Sequence, residues 1–181
     1  MNPTIYYLCQ ETIIGPLMWL ASMCSIPALF ENVPLSIEQP KQSVSKAFNA
    51  PLDKNYPLEI TFTFASANAR IDDQIVGDRY SEYCDGSISF NDIPEAKREG
   101  LGKPMPFAVV VRKKADQSIV VDKTFYSLCT TSHDGANSKS RTIASLGLKR
   151  GDYVIEVTNL QAQTGLTGVK TSLSLRGGQG K

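Results

Sequence analysis

FAVVVRKKADQSIVVDKTF, residues 107–125, sets two β-rich runs, 107–112 and 118–125, on either side of the polar stretch KKADQ. Val, Ile, Phe and Thr suit a pleated, half-buried backbone, and a polar interval of hairpin length lies between them, so the segment predicts an antiparallel strand pair. The same chemistry recurs on both sides. Upstream, LEITFTF (58–64) alternates with Leu58, Ile60, Phe62 and Phe64 on one face, and Pro57 marks its start. Downstream, TIASLGL (142–148) places Ile143, Ser145 and Gly147 on one side and Ala144, Leu146 and Leu148 on the other, before a tight Lys149-Arg150-Gly151-Asp152 turn. YVIEVTN (153–159) shares a face through Tyr153, Ile155 and Val157, and VKTSLSL (169–175) aligns Val169, Thr171, Leu173 and Leu175.

Six short strands with turn signals between them and one helical insertion predict an all-β fold, an immunoglobulin-like or Greek-key β-sandwich. The run LKRGDYVIEV is similar to the late hairpin of immunoglobulin-like and fibronectin-like sandwiches, where a Tyr hydroxyl ties a corner to backbone. The sandwich is expected over residues 41–176, preceded by a head and linker at 1–36 and followed by a frayed RGGQGK tail. No internal repeat is visible.

Composition narrows the function classes. The chain has 181 residues, 41% hydrophobic and 20% charged, which suits one domain with a real core. A formal charge of +1 leaves no field that calls for nucleic acid or an acidic membrane, and a single histidine excludes zinc chemistry built on several. The charge is unevenly spread: residues 1–40 hold Glu11, Glu31 and Glu38 with no Lys or Arg. Within that head, IIGPLMWLASMCSIPALF (13–30) runs eighteen residues without a charge, interrupted by Pro16 and Pro27. The expected reading is a removable export signal, with small residues at Ala21, Ser22 and Ser25; an uncleaved anchor and a core helix are the alternatives. Cys24 follows Leu20-Ala21-Ser22-Met23, a lipoprotein-box pattern with Met23 where a small residue is usual. Membrane contact is expected through this segment alone, and the protein is placed in a bacterial periplasm or at an outer membrane.

Cys84 and Cys129 stand alone in the body, 45 residues apart and without CxxC spacing. In an oxidising compartment two such cysteines pair, and closing a loop of that size stabilises by about 3–4 kcal/mol on the chain-entropy view. Two unconnected buried thiols are the other reading.

ARIDDQIVGDRYSEYC (69–84) spaces Ile71, Ile75 and Val76 as a helix would, so one or two helical turns are expected near Gly77. From Ser66 to Met105 there are 8 acidic and 5 basic residues, whereas residues 106–181 hold 11 basic and 5 acidic. A long acidic excursion from a β scaffold is either a binding element or a solvated crossover between sheets. Asp72, Asp73, Tyr80 and Tyr83 are its candidate contacts, with Arg70 and Arg79 as local charge partners. The spacing of Asp72, Asp73, Asp78, Glu82 and Asp85 does not meet the pattern of a calcium loop, and no metal or other cofactor is implied.

His133 lies in CTTSHDGANS beside Ser132 and Asp134. Neighbouring Ser, His and Asp do not converge into a triad, and there is no nucleophile elbow, so these three read as turn residues or as a contact loop rather than as a catalytic set. No catalytic residue is assigned.

Five segments carry a family resemblance: SVSKAFNAPLDKNYPLEITFTF, ARIDDQIVGDR, GKPMPFAVVVRK, VVDKTFYSLCTTSH and LGLKRGDYVIEVTNL. Together they resemble the bacterial domain-of-unknown-function family 5625, small exported or lipoprotein-like β domains, over about residues 43–176. The resemblance implies a β-sandwich in the bacterial cell envelope with no established enzyme activity and no active-site residue to transfer. The expected function is therefore non-enzymatic binding of a protein partner, in its sharpest form an immunity protein that neutralises a secreted toxin. The alternative is a carbohydrate- or peptidoglycan-binding module with Tyr80 and Tyr83 as its aromatic platforms. Oligomeric state is left open.

Overall fold

The structure is a computed structural model and describes residues 27–85, 89–133 and 135–177. Most of the head, including Cys24, and Asp134 of the histidine loop lie outside the described residues. The eight strands are β1 (Phe30–Pro34), β2 (Ser43–Ala50), β3 (Lys54–Thr63), β4 (Met105–Lys113), β5 (Ile119–Ser127), β6 (Ser138–Leu148), β7 (Gly151–Asn159) and β8 (Lys170–Leu175). They form two antiparallel sheets: sheet I in the order β1-β8-β3-β6 and sheet II in the order β2-β7-β4-β5. The expected all-β sandwich is the observed architecture.

Alternation builds the layers. On β3, Tyr56, Leu58, Ile60 and Phe62 are fully buried, and on β4 Met105, Phe107, Val109 and Val111 are too. These two inward faces, with Tyr153, Ile155 and Val157 of β7 and Leu173 and Leu175 of β8, make the central core. On β3, β4 and β7 the alternate residues are half-buried or exposed, as on the outer face of an antiparallel sheet, whereas Ser138 to Arg141 of β6 are buried on both faces. The β4–β5 hairpin pairs as its sequence predicts, Met105 opposite Ser127 through Arg112 opposite Ile119, and Gln117 closes the turn in the left-handed region.

Two sequence expectations change. The Leu148–Gly151 link is not a hairpin, because β6 pairs with β3 in sheet I while β7 pairs with β2 and β4 in sheet II. It is an inter-sheet corner, and the Tyr153 hydroxyl donates to the Lys149 carbonyl at 2.9 Å to hold it. The stretch before residue 41 is not a linker: Phe30–Pro34 is the edge strand beside β8, and Leu35 and Ile37 are 3% and 1% exposed. Its partner strand lies some 140 residues away in the chain, so nothing nearby in sequence marks it.

Between β3 and β4 the chain leaves the sandwich. It forms helix α1 (Ala67–Asp72), two short 3-10 turns, Glu82–Asp85 and Phe90–Asp92, and helix α2 (Glu95–Arg98). Ser66 caps α1, its hydroxyl accepting from the Ala69 amide at 3.1 Å. The helix stops at Asp73, so Ile71 turns outward, 61% exposed, and only Ile75 and Val76 of the expected apolar face join the core. Ile93 and Leu101 pack with Leu128 and Cys129 into a satellite cluster bordered by Tyr83, Cys84 and Phe90. Among the described residues no helix is long and apolar enough to cross a membrane.

Candidate functional site

A one-residue bulge decides how the insertion is held. Leu58 lies opposite Ala144, but Glu59 lies opposite Thr142, which leaves Ile143 as the extra residue on β6. Beyond the bulge Ile60 faces Arg141 and Phe62 faces Lys139. Directly opposite residues on neighbouring strands point to the same side of a sheet, so both cations turn into the interior. With no bulge the parity would reverse and both would reach solvent. Arg141 is fully buried and Lys139 is 1% exposed.

Burying two cations is costly unless their donors are used. Arg141 uses its fork on backbone: Nε donates to the Val76 carbonyl at 2.8 Å, Nη1 to Lys103 at 2.7 Å, and Nη2 to Ile75 at 2.8 Å. Weaker bonds reach the Ser127 carbonyl at 3.3 Å and that of Leu101 at 3.4 Å, and Nη2 also bonds the Val76 carbonyl. Both ends of the insertion and the end of β5 thus converge on one guanidinium. Burial pulls the Arg141 pKa down to about 9, and the charge of Asp73 opposes that shift. Around the hub Gly77 has φ +82°, and a Cβ there would stand 2.6 Å from the Gly100 carbonyl oxygen, so the two insertion segments can close on each other only through glycine.

Lys139 takes the carboxylate. Its ammonium lies 2.9 Å from Asp73 Oδ2 and donates to the Asp73 carbonyl at 3.1 Å. The same carboxylate accepts from the Ile75 amide at 3.1 Å and from the Val76 amide at 3.0 Å. With its side chain 5% exposed, Asp73 is an internal anchor rather than a surface contact. Its expected local partners are engaged elsewhere: Arg70 Nη1 meets His133 Nδ1 at 3.3 Å, and Arg79 donates to the Lys97 carbonyl at 2.8 Å.

The insertion is also bound to the strand-to-strand loop that follows β5. Cys84 and Cys129 form the expected disulfide, Cα to Cα 5.7 Å. Thr130 Oγ1 donates to the Gly77 carbonyl at 2.9 Å, and the Cys129 amide donates to Leu101 at 3.0 Å. Ser132 and Ser140 exchange backbone bonds at 2.9 and 3.4 Å, which lays the histidine loop along the free edge of β6. The Arg70–His133 contact then brings α1 against that loop. For His133 to accept at Nδ1 its ring proton sits on Nε2, turned away from Arg70.

Thus Asp72, Tyr80, Ser132 and His133 lie on segments that the fold draws together, with Asp72, Tyr80 and His133 exposed. Tyr83 is half-buried against the satellite cluster, which takes part of its ring out of reach of a partner. Among the described residues, the exposed acids of the insertion are Asp72, Asp78, Glu82, Asp92, Glu95 and Glu99. The ion pairs among the described residues join Arg112 to Glu156, Lys139 to Asp73, Lys149 to Asp53, and Arg176 to Glu31 and Glu59. None involves those six carboxylates, whereas Arg98 is occupied by the Ile93 and Asn91 carbonyls at 2.7 and 2.8 Å. The result is a firmly mounted, acidic surface with Tyr80 63% and Ile71 61% exposed. Sequence reasoning missed Lys139 and Arg141, and its one available signal was two cations two residues apart in the polar alternation SKSRT.

The family described as a domain of unknown function (DUF5625) matches residues 32–177. The chain is similar to a crystal structure of a protein from Sulfurospirillum deleyianum, with a TM-score of 0.55 and 15% identity over 80% of this chain and 95% of that one. At that identity the likeness concerns the fold alone. No curated protein matches the chain.

Proposed function

The chain belongs to the DUF5625 family, and we propose that it is a non-enzymatic domain of the bacterial cell envelope whose insertion surface captures a basic protein partner. The observation that carries this reading is the set of six exposed insertion carboxylates, none in an ion pair among the described residues, grouped with exposed Tyr80 and Ile71. Unpaired like charges on a mounted surface attract an oppositely charged patch and speed encounter, and an amphipathic ring adds contact area at small side-chain entropy cost. The buried anchors support it further. A surface fixed by Arg141, by Lys139 with Asp73 and by a disulfide is already ordered before binding, which lowers the cost of association. The Cys84–Cys129 bridge supports an oxidising compartment such as the periplasm. In its most specific form the partner is a secreted bacterial toxin and the domain is its immunity protein.

The test is affinity capture from envelope extracts, with partners identified by mass spectrometry and their binding followed against salt. The native domain should retain a basic protein that weakens as salt rises. The variant Asp72→Asn, Tyr80→Ala, Glu82→Gln should lose it while keeping its thermal midpoint. Equal capture by both proteins would move the binding surface elsewhere, and an acidic partner would overturn the charge argument.

A further inference from the structure

We propose that Cys84 is the exchange sulfur of the Cys84–Cys129 bridge: an external disulfide closes the bridge, and an external thiol opens it, through a mixed disulfide on Cys84 alone. Thiol–disulfide exchange is decided by which sulfur can be reached, which is the better thiolate and which is expelled. The two sulfurs differ on all three counts.

Cys84 lies in the 3-10 turn Glu82–Asp85 and is half-buried at the border of the satellite cluster. The Ser81 amide donates to its Sγ at 3.0 Å, and the Ser81 hydroxyl, the one partner of that contact with a hydrogen to give, lies 3.5 Å from the same atom. The turn fixes both donors, because the Cys84 amide donates to the Ser81 carbonyl at 3.1 Å and the Tyr83 amide to the Ser81 hydroxyl oxygen at 3.3 Å. Hydrogens aimed at a sulfur favour its charged, nucleophilic form.

Cys129 has the opposite surroundings. It is 0% exposed and packs with Ile93, Leu101 and Leu128, an apolar shell that disfavours a thiolate. Its place does not depend on the bridge. The residue takes the left-handed region at φ 66°, its amide donates to the Leu101 carbonyl at 3.0 Å, and the next side chain, Thr130, donates to the Gly77 carbonyl at 2.9 Å. Arg141 holds the insertion that carries Cys84 through the Val76 and Lys103 carbonyls. With the bridge open the two thiols therefore stay near each other, and closure is an intramolecular step.

The chemistry balances as two exchanges. The Cys84 thiolate attacks one sulfur of the external disulfide, a new S–S bond forms, and the other half leaves as a thiolate. Cys129 then loses its proton to solvent and its sulfur attacks Cys84 Sγ, closing the ring and expelling the second half as a thiolate. Two protein thiols are oxidised and one external disulfide is reduced to two thiols. Opening follows the same path backwards: an external thiolate reaches Cys84 Sγ and must expel the Cys129 thiolate into its apolar shell, so the folded protein resists reduction.

The experiment uses the full chain with Cys9→Ser and Cys24→Ser, so that only the bridge cysteines react. The protein is reduced, freed of reductant, mixed with glutathione disulfide and quenched with acid at intervals, and peptide mass spectrometry locates the glutathione. The mixed disulfide should form on Cys84 at least about tenfold faster than on Cys129. A parallel arm with a purified thioredoxin-fold disulfide oxidase tells a protein source of the disulfide from a small one; a mixed disulfide on Cys84 with either reagent supports the proposal. Ser81→Ala, which removes the hydroxyl donor, should slow that step about threefold, and an unchanged rate overturns the part given to Ser81. Equal or earlier modification of Cys129, or none at Cys84 with either reagent, overturns the proposal. Loss of hydrogen-exchange protection in β3 and β4 on reduction overturns it too, because the asymmetry requires a folded dithiol protein.

Discussion

The Lys139 ammonium and the Asp73 carboxylate meet at 2.9 Å inside the protein, with side-chain exposures of 1% and 5%, although 66 residues separate them in the chain. This pair, beside the Arg141 hub, turns a loop excursion into a fixed part of the domain. The insertion is therefore held in place by charges buried beneath it.

Removing one member of a buried pair strands the other. Asp73→Ala leaves the Lys139 charge uncompensated and also orphans the Ile75 and Val76 amides, so a loss of about 3–5 kcal/mol is expected. Lys139→Met should cost less, because the carboxylate keeps its amide donors. Urea denaturation of both variants checks the order, and a larger loss from Lys139→Met would contradict it.

Arg141→Lys keeps the charge and loses the fork. One ammonium has three donors and cannot reach the carbonyls of Ile75, Val76, Leu101, Lys103 and Ser127 together. Hydrogen exchange should accelerate at the amides of Arg79, Leu101 and Lys103, while protection in β3, β4 and β7 persists. Uniform loss of protection across both sheets would show that the hub is needed by the whole sandwich rather than by the insertion.

The disulfide closes a 45-residue span. Replacing Cys84 and Cys129 by Ser should lower stability by about 3–4 kcal/mol, a fall in midpoint of roughly 10 °C for a domain of this size. Calorimetry of the native and double-Ser proteins measures it. A fall of only a degree or two would mean that Arg141 and Lys139 already confine the insertion.

Tyr153 holds the corner between the sheets, and its hydroxyl pKa is raised by burial first and by the Asp53 charge second. An acid whose pKa is higher folded than unfolded adds stability below its unfolded value, near 10.0, and that stability is lost as pH rises above it. Tyr153→Phe should cost about 1 kcal/mol at neutral pH through the lost Lys149 bond. Above pH 10 the gap between native and variant should shrink. Denaturation at pH 7 and at pH 10.5 tests both parts, and a gap that widens at high pH would reverse the assignment.

Local pattern was enough for much of this protein. The alternation in 58–64, the hairpin at 107–125, the Tyr153 hydroxyl tie to backbone and the Cys84–Cys129 pairing each depend on residues whose neighbours in the chain declare their role, or on a count that leaves one partner. The tertiary structure alone decided the rest. The strand at Phe30–Pro34 was hidden because its partner, β8, comes at the other end of the chain. The split of β6 and β7 between sheets was hidden because a tight turn fits a hairpin and a corner alike. Lys139 and Arg141 looked like solvated residues of a polar stretch. A single extra residue, Ile143, reverses which face of β6 looks inward, and only the pairing with β3 reveals it. Side-chain periodicity is a property of the local backbone, whereas its phase relative to the core is set by strand register, and register is fixed only when distant strands pack together.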